Sequence, residues 1–238
     1  RPGTDTAFDV GQMKIGRRLA IKILNASKFV LMQDAVVDDA AISEPLDRAL
    51  LAVLADTVDQ ATDAFEDYNY AQALQIAETF FWNFTDDYVE LVKERAYGGQ
   101  GEAAAMSAKA TLARTLEAVL KLFAPFLPFV TEEVWSWWQE GSVHRAAWPD
   151  ASGIRSLAAQ QDPRLIADVA AVLTQVRKAK SEASASMRAD VASAVITADA
   201  QTVARVEQAK ADIAAAGRIA DLVFTEGSGP IEVAATLA

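Results

Sequence analysis

Cysteine is absent from the 238 residues and histidine occurs once, as His144. Disulfides are thereby excluded, and no Cys/His set exists for a zinc site. No run of eighteen or more apolar residues occurs, so no segment reads as a membrane-crossing helix. The opening RPGTDTAFD has no apolar stretch of the kind a secretory leader carries. With a turn expected at Pro2-Gly3 and no capping signal, it reads as a cut from a longer polypeptide. Positive charge is scarce too: 22 Lys and Arg against 33 Asp and Glu make the formal net charge -11. A field of that sign repels phosphates and excludes indiscriminate nucleic-acid binding. What remains expected is a cytoplasmic protein without metal or membrane, 52% hydrophobic and so able to bury a core.

The positive charge that is present is concentrated. Residues 10–33 hold five basic side chains (Lys14, Arg17, Arg18, Lys22, Lys28) and no acid, whereas residues 34–67 hold ten acids against Arg48 alone. At about 100° per residue, a helix over Gly11 to Met32 places Lys14, Arg17, Arg18, Lys22, Asn25 and Lys28 within an arc of roughly 140°. Met13, Ile15, Leu19, Ala20, Ile23, Leu24, Ala26, Val30 and Leu31 take the remaining circumference, a stripe broad enough to meet a core. Ile21 and Phe29 fall inside the basic arc. A ring among cations suits unpaired RNA, because charge holds the phosphates while an exposed base stacks on the flat surface. The same pattern also fits a solvated charged face with Phe29 packed under a loop. A third reading is a helical scaffold that docks an acidic partner on the basic helix 11–32, the neighbouring acidic segment being one such partner within the chain.

Further along, periodicity predicts a bundle. A loop over Gln33 to Ser43 leads to a helix opened by Ser43-Glu44-Pro45, with Leu46, Leu50, Val53, Leu54, Val58, Ala61 and Phe65 on its apolar side. A third helix is expected from Tyr70 to Arg95, stopped by Tyr97-Gly98-Gly99-Gln100-Gly101, a fourth from Glu102 to Phe123, and a fifth from Pro128 to near Gln139. The fold class is therefore mainly α: an antiparallel helical bundle over residues 1–140, a turn-rich linker over 141–163, and a small α+β module over 164–238. In that module a helix from Arg164 to about Glu182 precedes strand-like runs at Val191–Thr197, Ile219–Thr225 and Gly229–Leu237, with one helix at Gln201–Ala215 between the first two.

Three stretches carry a resemblance. Phe65-x-x-Tyr68-Asn69-Tyr70-Ala71 with Phe80-Phe81-Trp82-Asn83-Phe84-Thr85-Asp86-Asp87-Tyr88 resembles the central helix of the anticodon-binding domain in class I aminoacyl-tRNA synthetases for aliphatic amino acids. Pro128-Phe129-Val130-Thr131-Glu132-Glu133-Val134-Trp135 is similar to the same family's Pro-Phe-x-Thr-Glu-Glu-x-Trp signature. Lys22-x-x-Asn25-Ala26-Ser27-Lys28-Phe29 is closest to the valyl branch. The resemblance implies that the intact enzyme attaches valine to its tRNA with ATP and Mg. It also implies that this part, covalently joined to a catalytic domain, grips the anticodon stem-loop of valine tRNA as a monomer. Lys22 and Phe29 match family positions at the anticodon. Phe29 is thus expected to stack on a base with Lys22 and Lys28 beside it, while Lys14, Arg17 and Arg18 hold phosphates. Asn25 either meets the RNA or bonds nearby backbone.

The family's His-x-Gly-His and Lys-Met-Ser-Lys-Ser signatures and its editing insertion do not occur, nor does the charged heptad arm of many valyl enzymes. No catalytic residue and no cofactor are therefore expected here, and no motif marks the small module as an enzyme. Phe80, Phe81, Trp82 and Phe84 read as core. Glu132 and Glu133 suit a helix start and Asp86, Asp87 and Glu90 an acidic face, while Arg177, Lys178, Lys180 and Arg188 form a second basic cluster that fits helix-end charge pairing or, alternatively, contact with the tRNA. His144 lacks a catalytic setting.

Overall fold

The computed structural model describes residues 10–35 and 37–238, so the turn expected at Pro2-Gly3 lies outside the described residues. The apolar stripes become helices α1 (Val10–Leu31), α2 (Pro45–Glu66), α3 (Tyr70–Asn83), α4 (Val89–Ala96), α5 (Glu102–Phe123) and α6 (Pro128–Ser136). Local chemistry sets their starts. Pro45 and Pro128 sit in first turns, where a missing N–H is no loss. Asn69 caps α3 by accepting from the Gln72 backbone N–H. Gly101, at φ +95°, leads into α5 through a conformation that a side chain would strain.

Helix α5 lies at the centre and packs against α1, α2, α3, α4 and α6. Its sequence EAAAMSAKATLARTLEAVLKLF is rich in Ala, Ser and Thr, and 14 of its 22 residues are buried. Small side chains let neighbours approach on every side, which is the pattern of an enclosed helix.

Three expectations are corrected by the structure. The rod from Tyr70 to Ala96 is continuous, but its middle, Phe84–Tyr88, is a π turn. A π turn holds one more residue than an α turn and rotates the helix beyond it, returning Leu91, Val92 and Arg95 to the buried side. Phe80, Phe84 and Tyr88 then stack in series at centroid distances of 6.3 and 6.0 Å. The segment 141–163, expected as a linker, contains a 3-10 turn (Val143–Arg145) and helix α7 (Ala151–Leu157). Asp150 caps α7, the helix packs along α2, and Arg155 reaches Asp56 and Asp59 at 2.6 and 2.9 Å. Seven residues make no stable helix alone, so packing rather than local pattern forms this one.

The rest is α8 (Arg164–Glu182), β1 (Val191–Ala198), α9 (Ala200–Glu207), α10 (Lys210–Gly217), β2 (Ile219–Glu226) and β3 (Glu232–Leu237). The single helix expected at 201–215 is thus two, broken at Gln208-Ala209. Strand β1 is central, parallel to β2 with Val191 opposite Ile219 and antiparallel to β3 with Val191 opposite Leu237.

One buried network joins the bundle to this module. Arg95, fully enclosed, donates from Nη2 and Nη1 to the two oxygens of Asp47 on α2 at 2.6 and 2.8 Å, and from Nε to Asp212 on α10 at 3.0 Å. Ser107 of α5 and the Tyr88 hydroxyl donate to the same Asp47 carboxylate at 2.6 and 2.7 Å, and Gln100 donates to Asp212 at 3.1 Å. Burial pushes the Tyr88 hydroxyl well above its ordinary value of 10, and the Asp47 charge pushes it further. The unfolded chain ionises this tyrosine near pH 10 while the folded chain does not. Stability is therefore whole below that pH and falls by up to about 1.4 kcal/mol per unit above it. Tyr88→Phe is expected to cost about 1.5–3 kcal/mol at pH 7, by removing a hydrogen bond to a charged group, and to flatten the alkaline slope. Urea unfolding at pH 7 and pH 10.5 checks both effects.

Candidate RNA-binding face

Helix α1 is anchored along one side. Leu19, Ile23, Ser27 and Val30 are buried, with Ser27 Oγ donating to the Ile23 carbonyl at 2.7 Å, and the helix lies on α5 and α6. The opposite arc meets solvent: Lys14, Arg17, Arg18, Asn25 and Lys28 are all exposed. Among the described residues, Lys14, Arg17, Arg18 and Lys28 have no ion-pair partner. At 1.5 Å rise per residue, Lys14 and Lys28 stand roughly 21 Å apart, enough to follow the backbone of several nucleotides.

Lys22 is tethered. Its Nζ lies 2.7 Å from Asp86 Oδ1 and 5.7 Å from the centroid of the Trp82 ring. The counter-charge thus comes from the α3–α4 rod and not from the acidic segment 34–67. A half-exposed pair of this kind contributes about 0–1 kcal/mol, so a phosphate can take the place of Asp86 at little cost.

Phe29 is half-buried, neither free-standing nor enclosed. Its ring meets that of Tyr97 edge-on at 6.3 Å and 86°, and Lys93 Nζ lies 5.9 Å from its centroid. Tyr97 itself is 64% exposed. Sequence reasoning missed both Tyr97 and Lys93, having read Tyr97 only as the start of a helix-stopping glycine turn. An aromatic residue heading such a turn was the available signal, since the turn leaves its ring uncovered.

The other conspicuous residues are structural. Glu132 accepts from Ser142 Oγ and the Val143 N–H, Glu133 accepts from the Trp137 indole, and His144 Nε2 lies 3.1 Å from the Pro128 carbonyl. Phe80, Phe81 and Phe84 are buried and Trp82 partly so. Arg177 faces Asp87 at 3.6 Å, where burial raises the Asp87 carboxyl against the lowering pull of Arg177. Lys180 is buried and donates to the Gly217 carbonyl at 2.9 Å, its ammonium pushed down by burial. Among the described residues no three metal-ligating side chains gather, and no helix is long and apolar enough to cross a membrane.

The bundle thus presents a cationic helix that ends beside a pair of crossed rings. The family model described as the anticodon-binding domain of tRNA ligase matches residues 47–196, and the chain belongs to that family. The matched span runs from α2 to β1, so helix α1 precedes it.

Among relatives, the valine-tRNA ligase of Thermobifida fusca is 55% identical over 227 residues, covering 94% of this chain and 25% of the relative. Those of Salinispora arenicola and Cutibacterium acnes are 50% and 46% identical, each over 100% of this chain and over 30% and 27% of the relatives. The chain thus spans roughly a quarter of the length of the relatives it matches.

Proposed function

We propose that this chain is the part of a cytoplasmic valine-tRNA ligase that grips the anticodon stem-loop of valine tRNA, the whole enzyme attaching valine with ATP and Mg. The observation that carries this reading is the row of unpaired cations on α1 leading to the Phe29–Tyr97 corner, in a molecule that is otherwise acidic and belongs to an anticodon-binding family. Lys14, Arg17 and Arg18 hold phosphates and set the register of the RNA. Phe29 offers its remaining open surface to an unstacked base, Lys22 and Lys28 neutralise the backbone around it, and Asn25 is placed to meet a base edge or a sugar. Negative charge elsewhere turns other contacts away and so confines binding to this face.

The bundle, residues 1–140, carries the RNA contacts. The module at 164–238 backs it, and the chain acts as a monomer joined to its catalytic domain. The glycine turn that precedes α5 does not fit ATP. The glycine turn Gly98–Gly101 does lead into a helix, but Glu102 stands in the first turn of α5, where a triphosphate would need its own charge tolerated.

Gel-shift affinity for valine tRNA against tRNAs with altered anticodon bases tests the reading, and equal affinity for all of them overturns it. Phe29→Ala is expected to weaken binding by about 1–3 kcal/mol through lost stacking. Arg17→Ala should act uniformly across tRNAs and lower the salt slope by about one.

A further inference from the structure

Tyr97 precedes the first turn of α5, whereas Phe126 follows its last, at the other end of the bundle. There Phe65 of α2 stacks on Phe126 at 5.6 Å and meets Trp148 edge-on at 5.4 Å. Phe65, Trp148, Pro125, Thr62 and Glu66 line an open cleft of about 370 Å³. Trp148 is fixed in place, its indole N–H donating to Thr62 Oγ1 at 2.9 Å. Two further rings flank these residues in the chain: Phe129, 89% exposed in the first turn of α6, and Tyr68, 84% exposed just past α2. Tyr68 has φ +57°, a left-handed conformation that a bulky side chain rarely adopts. The charge is as unusual as the rings. Asp63, Glu66 and Asp67 crowd the C-terminal end of α2, where the helix dipole is already negative and the last turn holds no basic residue. Among the described residues none of the three has an ion-pair partner.

We propose that this patch is a docking surface for the catalytic part of the same polypeptide, which seats a basic segment, led by an arginine, in the cleft. An arginine answers each feature of the cleft: its guanidinium lies flat on an aromatic face, its stem covers Phe65 and Pro125, and its charge pairs with Glu66. The same three carboxylates turn phosphates away, so RNA is not the occupant. Chain direction and length indicate the source of the segment. Helix α1 ends where Phe29 meets Tyr97, so it runs opposite to α5 and the chain enters it on the side of the cleft. The relatives extend far beyond this chain, which covers 25% and 30% of two of them. Polypeptide that leads into α1 therefore arrives beside the patch. Exposed Tyr and Trp at its centre are the side chains that anchor protein interfaces. Three unanswered acids at a helix end are a local cost in the free chain, and a docked cation offsets it. This proposal rests on the reading that the chain is joined to a catalytic domain, and not on which face holds the RNA.

The chain has no cysteine, so a single introduced thiol reports its own surroundings. Tyr68→Cys places one beside the cleft, and Met32→Cys places another at an exposed position just past α1, at the far end of the bundle. The rate of alkylation by N-ethylmaleimide, read by mass spectrometry of the labelled peptide, is compared between the 238-residue chain and the intact ligase that contains it. Joining the catalytic part should slow Tyr68→Cys about tenfold or more and leave Met32→Cys unchanged. Adding Glu66→Lys and Asp67→Lys should return Tyr68→Cys in the intact ligase to within about twofold of its rate in the chain alone. Thermal unfolding of the chain alone should be unchanged or raised by that pair, since cations suit a helix C-terminus. Equal rates for Tyr68→Cys in the two proteins overturn the docking surface. Protection that survives the charge reversal also overturns it, because the occupant is then not basic. Protection of the chain alone by valine tRNA overturns it in favour of RNA. None of these outcomes bears on the anticodon reading, which the gel-shift series tests separately.

Discussion

Arg95→Met is expected to destabilise the chain by about 3–5 kcal/mol, the range for removing one partner from a buried ion pair. For a chain of this length that corresponds to a melting temperature lower by roughly 6–20 °C. The reason is the enclosure of its partners. Asp47 is fully buried and Asp212 nearly so, and without the guanidinium both keep their desolvation penalty with only hydroxyl and amide donors left to offset it. Burial already pushes the Asp212 carboxyl above its ordinary range, with Arg95 as the main opposing influence. The triple variant Arg95→Met, Asp47→Leu, Asp212→Leu should recover much of the loss, since no uncompensated charge remains. Chemical denaturation of the three proteins decides it, and a single variant as stable as the parent would show that the network contributes little.

Replacing Lys14, Arg17, Arg18 and Lys28 together by glutamine should leave the fold intact and cripple RNA binding. All four are exposed, and among the described residues none is engaged with another charge. Each phosphate left without its cation takes about 0.7–0.9 from the salt slope, so the four together should lower it by roughly three. Between roughly 50 and 200 mM salt, the parent should then lose on the order of a hundredfold more affinity than the variant. Filter binding across that range reads the difference directly. An unchanged slope would mean that the phosphates lie on another face.

Most helices were legible because a buried stripe must repeat at 3.6 residues. Helix α2 opens at Pro45 and α5 runs from Glu102 to Phe123, as the pattern predicted. Where packing overrides pattern, legibility ended. The π turn at Phe84–Tyr88 leaves an aromatic stripe that looks like an ordinary helix, and α7 hides among glycines and prolines because its stability comes from α2. On the candidate face, the exposure of Lys14, Arg17, Arg18, Asn25 and Lys28 matches the arc drawn from the sequence, whereas Lys22 finds Asp86 and Phe29 finds Tyr97, partners 64 and 68 residues away. No local rule brings those residues together.

By itself the sequence determined most of the inward-facing residues, where the longer helices begin, and that one cationic stripe lies within an acidic chain, because periodicity, capping and charge are properties of neighbouring residues. Only the tertiary structure decided that Arg95 binds α2 to α10, that Tyr97 crosses Phe29, and that Lys22 pairs with Asp86. Those are contacts between distant segments, and their geometry is set by how the helices pack.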